Sequence, residues 1–272
     1  MFRIIVCIKQ VPMVSELPWD SKTGTLKREL AQGMMDPGSA RALEAALGIK
    51  EKGVPQREQV HITAVTMGPP MAQEILHQAR ALGADAAVLL TDRKLAGADT
   101  FMTSRILAQC IDKVCPDVDL VLLGAQSSDS ETAQVGPQLA DELGFLCIGF
   151  ANGIEMKGQG SDPDRIRVFR HVDDFFEELE MALPGVVTID LGAYDPRYTT
   201  LAGVENAFEN PDIRVLDAQG LGFEPGFNAL KASPTRIIDV FSPTAQKENR
   251  VLKGAVKTSL DTLFRDYGKV IS

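Results

Sequence analysis

The segment at residues 120–137 reads LVLLGAQSSDSETAQVGP and joins an apolar run to a predicted helix through small and polar residues. Residues 120–123 are apolar and are followed by Gly124, which predicts a short buried strand. Residues 132–143 have helical spacing and stop before Gly144, a natural helix end. Because a buried strand that runs straight into a helix is the repeating unit of α/β proteins, this segment predicts a parallel sheet.

The same alternation of strand and helix precedes this segment. Apolar runs predict strands at residues 3–9, 60–67 and 86–90, and helical spacing predicts helices at residues 38–50, 71–82 and 99–114. The sheet should be covered by helices on both faces and joined by right-handed crossovers. Ligands of such sheets bind at the carboxyl ends of the strands, which directs attention to the loops after Lys9, Met67 and Leu123.

The pattern changes in the second half of the chain. It predicts a strand at residues 165–172, a hairpin partner at 175–183 and a buried strand at 186–191. Residues 201–272 contain Gly and Pro breaks and include an amphipathic stretch at 251–267. Such a segment cannot form a core of its own. We therefore expect an α/β domain at residues 1–200 and a C-terminal arm at residues 201–272 that packs on another chain.

Charge and composition exclude several functional classes. The chain has 272 residues, with 28 Lys and Arg against 37 Asp and Glu, a net charge of −9. A polyanion would be repelled, so binding of nucleic acid through bulk charge is not expected. No apolar run approaches the roughly 18 residues of a membrane span, and the opening apolar stretch is too short for a signal peptide. We therefore expect a cytoplasmic protein without membrane insertion.

Motifs for hydrolysis or metal binding are missing from the sequence. Neither GxSxG nor HExxH occurs, and the three histidines are scattered. Cys7, Cys110, Cys115 and Cys147 form no CxxC pair and are expected to be small buried side chains. We therefore predict no catalytic residue and no metal site.

The loop after the strand at 120–123 is the best candidate for a binding site. Small residues let the main chain approach a ligand, and free N–H groups at the start of a helix attract phosphate. The spacing is neither GxGxxG nor a Walker loop, and two interpretations remain open. Either the loop binds phosphate, or Ser130 or Asp129 simply caps the helix. Lys9, Met67 and Asp99 stand at comparable strand ends, where a solvated lysine, a simple turn and a plain helix cap are the alternatives to ligand binding.

Several short motifs stand in order along residues 1–205. They read VCIKQVP at 6–12, DSKTGTLKR at 20–28, MDP at 35–37, VTMGP at 65–69, ALGAD at 81–85, AGADT at 96–100, TAQVGP at 132–137, LPGVVT at 183–188 and PRYTTL at 196–201. With the loop at 124–137, the most specific piece, this series resembles the β subunit of electron transfer flavoproteins.

The resemblance implies a Rossmann-like, adenine-nucleotide-binding parallel sheet with helices on both faces, and a C-terminal extended arm wrapped on a partner α subunit. It implies a heterodimer that carries electrons between a flavin-dependent dehydrogenase of the acyl-CoA type and another redox partner. The chain would be an electron-transfer subunit. In an electron-bifurcating complex it would be part of an NADH-dependent flavin oxidoreductase, with NAD as electron donor or acceptor.

The β subunits of this family hold a second nucleotide, which is structural AMP in simple members and FAD in bifurcating members. The run TAQVGP at 132–137 looks more like the bacterial members, which include the bifurcating ones, and this favours FAD over AMP. A redox-inert AMP-binding structural or adenylate-sensing module is the functional alternative.

Strand ends and the resemblance together predict the residues that bind the cofactor. They are Cys7 (through its main chain), Lys9, Asp36, Pro37, Gly38, Ser39, Met67, Gly124, Ala125, Gln126, Ser127, Ser128, Asp129, Ser130, Glu131, Thr132, Ala133, Gln134 and Val135. Leu201 falls where the family presents a leucine to the dehydrogenase, and a core leucine is the alternative. The family commonly has Asn at the position of Asp36, and its basic stretch after the docking leucine is replaced here by the acidic GVENAFE at 203–209.

Overall fold

The structure is a computed structural model, and it describes residues 1–13, 19–20, 25–26, 33–55, 57–157, 165–210, 212–235, 238 and 251–271. The chain divides into two compact units, Met1–Arg236 and Ile237–Ser272. The first unit contains the sheet and the predicted site. The motif DSKTGTLKR at 20–28 lies for the most part outside the described residues.

The strands within the described residues have the following bounds. They are β1 Phe2–Cys7, β2 Gln10–Pro12, β3 Trp19–Asp20, β4 Thr25–Leu26, β5 Gly33–Met35, β6 Val60–Met67, β7 Ala86–Leu90, β8 Leu120–Gly124, β9 Leu146–Met156, β10 Arg165–Val172, β11 Phe175–Ala182, β12 Gly185–Ile189 and β13 Ile213–Leu216. Nine of these described strands form one sheet in the order β11-β10-β9-β12-β8-β1-β6-β7-β13. Along this spatial order, every pair of neighbours from β9-β12 to β7-β13 is parallel. In contrast, β10 pairs antiparallel with β9 and with β11.

The helices of the described residues have the following bounds. They are α1 Pro37–Lys52, α2 Gln73–Leu82, α3 Thr100–Val114, α4 Val135–Leu143, α5 Leu201–Glu209, α6 Ala229–Ala232 and α7 Val256–Ile271. Leu43 of α1 and Leu76 of α2 belong to one apolar core, while Ile106 of α3 and Leu139 of α4 belong to a second. Because the two cores lie on opposite faces of the central strands, the apolar strand residues are buried on both sides.

This architecture confirms the predicted parallel sheet covered by helices, and the predicted hairpin is present as β10 and β11. The helix predicted from residue 132 begins instead at Val135, since Glu131 and Ala133 have φ of 49° and 54° and cannot continue a right-handed helix. The eleven-residue strand β9 was not predicted. Gly149 and Gly153 interrupt its pattern, and pairing with β10 and β12 supplies the order that its sequence lacks.

The structure places the boundary after the α/β domain at Arg236 rather than at residue 200. Residues 201–209 form α5, which packs on α2, and β13 adds to the sheet edge by pairing with β7. Short segments of this kind take their stability from the neighbour on which they pack. The second unit contains α7, in which Val256 and Leu260 are exposed. Packing of this arm on an α subunit stays a prediction.

The exposure of the four cysteines agrees with the prediction for three of them. Cys7, Cys110 and Cys115 are buried as expected, but Cys147 is exposed, so that prediction is wrong for one thiol. Cys147 precedes buried Ile148 in β9 and therefore faces the other side of the sheet, close to the start of the strand.

Among the described helices, none is both long enough and apolar enough to span a bilayer.

Candidate functional site

Three neighbouring strands bring predicted site residues to one edge of the sheet. β1 lies between β6 and β8 in parallel pairing, so the carboxyl ends at Cys7, Met67 and Gly124 lie side by side. The chain continues from β1 through α1 to β6 on one side, while β8 and β12 lie on the other. The strand order therefore reverses between β1 and β8, and α/β sheets bind ligands at such a switch point.

Gly38 and Gly124 bring the start of α1 against the end of β8. A Cβ atom on Gly124 would lie 2.7 Å from the carbonyl carbon of Gly38, and one on Gly38 would lie 2.9 Å from the carbonyl oxygen of Gln126. Both distances are too short for a real Cβ contact, so the close approach requires glycine at both positions. The two loops thus form one cradle of main chain at the switch point.

A buried carboxylate joins the same two loops. Asp36 is 1% exposed, and one of its oxygens accepts a hydrogen bond from the N–H of Ser39 at 3.2 Å, which caps α1. The other oxygen accepts from the N–H of Ser128 at 2.7 Å. The hydroxyl of Ser39 accepts in turn from the N–H of Lys9 at 3.0 Å. Asp36 therefore positions the loop 124–134 against α1, and its side chain is occupied by protein donors.

The N-terminus of α4 has no side-chain cap. Gln134 stands at the cap position without a side-chain hydrogen bond to the helix. Among the described residues, none accepts a hydrogen bond from the main-chain N–H groups of residues 132–136. Glu131, directly before these groups, and Ala133, among them, have left-handed φ values, and main chain that alternates into this region forms concavities that bind anions. Free N–H groups and the positive end of the helix dipole make this terminus suitable for phosphate.

The helices α1 and α3 differ from α4 because a carboxylate occupies the N-terminus of each. Asp36 caps α1, and Asp99 caps α3 by accepting from the N–H of Met102 at 2.9 Å. The second oxygen of Asp99 accepts from the N–H of Thr235, also at 2.9 Å. Burial raises the pKa of Asp99, but these hydrogen bonds outweigh it and hold the pKa below its ordinary value. The plain cap proposed for Asp99 is therefore confirmed.

Lys9 extends from β1 into the loop that precedes α4. Its Nζ lies 2.6 Å from Oδ1 of Asp129 and 3.1 Å from Oγ of Ser127. Ser130 and Ser127 share a hydrogen bond of 2.9 Å, so neither Asp129 nor Ser130 caps α4, and that interpretation of the loop is wrong. Partial burial raises the pKa of Asp129, but hydrogen bonds from Lys9 and Ser127 outweigh it and lower the pKa overall. Lys9 thus forms an ion pair with Asp129 in the loop that precedes the free N–H groups, and the carboxylate offsets the positive charge of the lysine.

Cys7 ends β1 with its thiol buried. Burial and the neighbouring Cys110 raise the pKa of Cys7 to about 12, so the thiol is protonated at neutral pH. A protonated, buried thiol is a poor nucleophile. Any contact of Cys7 with a nucleotide would come from its main chain, as the resemblance implies.

The remaining predicted residues differ in exposure. Exposed residues are Pro37, Ser128, Asp129, Ser130, Glu131, Thr132 and Gln134, half-buried ones are Lys9, Met67, Gly124, Gln126, Ser127, Ala133 and Val135, and buried ones are Gly38, Ser39 and Ala125. All but Met67 belong to the two joined loops or to the end of β1, and Met67 ends the adjacent strand β6. Thr100 was absent from the predicted set, yet its hydroxyl donates to Oε1 of Gln134 at 2.9 Å. Its position directly after the cap Asp99, at an equivalent strand-to-helix junction, was the available signal.

A second exposed segment lies at the start of α5. Leu201 is 86% exposed, so the interpretation as a core leucine is wrong, and Tyr198 is 95% exposed. Arg197 holds this segment to α1, because its guanidinium contacts both carboxylate oxygens of Glu44 and also pairs with Glu51. The hydrogen bonds to Glu44 and Glu51 raise the pKa of Arg197 further above its already high value. The exposed apolar side chains are therefore attached to a fixed piece of main chain.

A parallel sheet with a main-chain cradle, an uncapped helix N-terminus and a lysine at its switch point has the features of the α/β proteins that bind nucleotides. The free donors and the glycine cradle fit the phosphate of such a ligand without further side chains. Among the described residues, no cluster of His, Cys, Asp and Glu could hold a metal ion.

Comparison with known proteins identifies the family within this class. Residues 23–218 match the electron transfer flavoprotein domain. The chain is 40% identical over 252 residues to the caffeyl-CoA reductase-Etf complex subunit CarD of Acetobacterium woodii, which covers 93% of this chain and 92% of that protein. It is 35% identical to the electron transfer flavoprotein subunit beta of Thermoanaerobacterium thermosaccharolyticum and 36% identical to the acryloyl-CoA reductase electron transfer subunit gamma of Anaerotignum propionicum, with 96% of both chains covered in each comparison. The chain belongs to the electron transfer flavoprotein family.

Proposed function

We propose that this chain is the β subunit of an electron transfer flavoprotein and carries electrons as a heterodimer with an α subunit. The observation that carries the proposal is the uncapped N-terminus of α4 beside the cradle of Gly38 and Gly124. Relatives named as electron transfer subunits over almost the whole chain length support the electron-transfer role. The redox partner is a flavin-dependent dehydrogenase of the acyl-CoA type.

The nucleotide of this chain is FAD, with AMP as the alternative. When bound, it would be held through its phosphates by the N–H groups of residues 132–136, with the Lys9–Asp129 pair beside them and the loop at 36–39 closing the cradle. FAD, when bound, supplies the electron-accepting chemistry, and the protein orients it and excludes competing reactions. The likeness to a subunit of a caffeyl-CoA reductase-Etf complex supports FAD and a bifurcating complex that uses NAD as electron donor or acceptor. A cytoplasmic location stays a prediction.

In this proposal Leu201 is the apolar anchor that docks the dehydrogenase. Its side chain is 86% exposed on a segment that Arg197 clamps to α1, and a fixed exposed leucine is suited to fill a pocket of a partner. Asp36, Ser39 and Ser128 position the cradle.

The test is purification of the chain together with an α subunit, followed by an absorbance spectrum and extraction of the bound nucleotides. We expect a yellow heterodimer, with two flavins per pair if the site of this chain holds FAD. One flavin and one AMP per pair would indicate simple electron transfer. A stable, colourless monomer that holds AMP alone would instead support the redox-inert AMP-binding module. A complex without nucleotide in this site would contradict the assignment of the cradle.

A further inference from the structure

The start of α4 is held from the side by the first turns of α3. The hydroxyl of Thr100 donates to Oε1 of Gln134 at 2.9 Å, and Gln134 is the residue directly before α4. The hydroxyl of Ser104 lies 2.8 Å from the carbonyl oxygen of Thr100 and 3.1 Å from that of Val135, the first residue of α4. Because Thr100 and Ser104 are four residues apart, they share one face of α3 and contact two successive residues of the neighbouring segment.

Ser104 is fully buried in the contact between the two helices. It is 0% exposed, and Ile106 of α3 and Leu139 of α4 belong to one apolar core. A hydroxyl carries a single hydrogen, so Ser104 shares its proton between two carbonyl oxygens, one from each helix. A buried polar group costs free energy unless it is hydrogen-bonded, so this contact favours one position of α4 against α3.

The contact with Thr100 also decides which end of the Gln134 side chain is available. Because Oε1 accepts from Thr100, the amide Nε2 retains two N–H groups, and none of the described residues accepts from them. Gln134 is exposed and stands at the cap position without a side-chain hydrogen bond to the helix. Its amide therefore adds donors to the free main-chain N–H groups of residues 132–136 at the same terminus.

The main chain before α4 needs support of this kind. Glu131 and Ala133 have φ of 49° and 54°, and left-handed backbone at residues other than glycine persists only where surrounding contacts hold it. The N-terminus of α3 is firmly closed, because Asp99 caps it by accepting from the N–H of Met102. A capped helix thus lies against the uncapped one, and its two hydroxyls contact the residues directly after Ala133.

We propose that Thr100 and Ser104 are positioning residues of the nucleotide site, which fix the N–H groups at the start of α4 and the Gln134 amide for a phosphate group. Thr100 acts through Gln134, and Ser104 acts through the main chain of Val135. The phosphate part of the binding free energy therefore depends on α3, and the adenosine part does not. The inference rests on the proposed nucleotide site and deepens it by naming side chains outside the loops at 36–39 and 124–134.

The test titrates the heterodimer, depleted of the nucleotide of this chain, with AMP and with adenosine by calorimetry. The two ligands differ only in the phosphate, so the ratio of their Kd values isolates the phosphate contacts. Thr100→Val keeps the shape of the side chain and removes its hydroxyl. We expect it to weaken AMP binding about fivefold and adenosine binding by less than about twofold. Thr100→Ser restores the hydroxyl and should bind AMP within about twofold of the wild-type affinity.

Ser104→Ala and Ser233→Ala form a matched pair. Ser233 is also buried, at 4% exposure, and its hydroxyl donates to the carbonyl oxygen of Ala229, four residues earlier, at the same 2.8 Å as Ser104 to Thr100. Its other partner is the N–H of Asp99, whose side chain still caps α3 in the variant. We expect Ser104→Ala to weaken AMP binding about fivefold and Ser233→Ala to leave it within about twofold of wild type.

Several results would overturn the positioning role. Equal losses of AMP and adenosine affinity in Thr100→Val, or no recovery in Thr100→Ser, would show that the hydroxyl does not act on the phosphate contacts. Equal AMP affinities of Ser104→Ala and Ser233→Ala would mean that loss of any buried hydroxyl has this effect. A wild-type heterodimer that binds AMP no more tightly than adenosine would instead contradict the proposed phosphate site itself, before any variant is compared.

Discussion

Replacement of Gly124 by alanine tests whether the main-chain cradle binds the nucleotide. The new Cβ would lie 2.7 Å from the carbonyl carbon, 2.9 Å from Cα and 3.0 Å from the carbonyl oxygen of Gly38. All three are main-chain atoms, so no side-chain rotation can relieve the clash. Ordinary van der Waals contact begins at 3.4 Å, so the new Cβ and the carbonyl carbon of Gly38 must move apart by about 0.7 Å. Overpacking of this kind costs about 1–3 kcal/mol in the free energy of unfolding.

The matched control is Gly48→Ala in the middle of α1. A Cβ at Gly48 meets no atom within 4 Å, so alanine should raise the free energy of unfolding by about 0.5–1 kcal/mol through its better helix propensity. Urea unfolding measures both variants, and extraction and titration of the nucleotide measure binding. A displacement that approaches 1 Å misplaces the main-chain donors, so we expect the affinity of Gly124→Ala for its nucleotide to fall about tenfold or more.

Two results would refute the reasoning about the cradle. Gly124→Ala with unchanged stability and affinity would mean that the end of β8 and the start of α1 do not approach as closely as the structure has them. Lower stability with unchanged affinity would mean that the approach is real but does not form the nucleotide site. Gly48→Ala controls for the general effect of adding a methyl group to this unit.

The remaining predictions concern three polar contacts. Asp36→Asn should lower the free energy of unfolding by about 1–3 kcal/mol, because an amide nitrogen cannot accept from one of the two main-chain N–H groups; an unchanged urea midpoint would contradict this. Asp99→Ala should cost about 0.5–2 kcal/mol at pH 7. The pKa of Asp99 is lower in the folded state, so its stabilisation is present above about pH 4 and is lost as pH falls through the folded pKa; a gap between variant and wild type that persists at about pH 2 would contradict the cap. Arg197→Lys keeps the charge but loses the paired contacts with its two glutamates, so KM for the dehydrogenase should rise more than kcat changes; an equal fall of kcat with unchanged KM would show that the clamp does not position the docking segment.

Much of the central fold could be predicted because its signals are local. The strands that became β1, β6, β7 and β8 are short apolar runs bounded by turn residues, and the helices between them have clear caps or glycine ends. The segments that prediction missed or misplaced lack such signals. β13 has four residues and is ordered by its pairing with β7, and α5 is ordered by α2 beneath Gly203.

The candidate site was likewise predictable only in part. Its main chain could be found because a glycine-rich loop between a strand and a helix is a local pattern. The function of its side chains could not, because Asp36 meets Ser128 across 92 residues of sequence and Lys9 meets Asp129 across 120. A sequence pattern carries no information about which carboxylate turns towards a helix and which towards a lysine.

The order of apolar and polar residues by itself determined the alternation of strands and helices, the edge of the sheet at which the candidate site lies, and the family motifs. These properties depend on side-chain chemistry within a few neighbouring positions. The tertiary structure alone decided that α4 begins at Val135 with free N–H groups, that Asp129 pairs with Lys9 instead of capping this helix, and that Leu201 faces solvent. Those outcomes depend on which distant segments compete for the same hydrogen bonds and apolar surface, and that competition is settled only when the whole sheet is assembled.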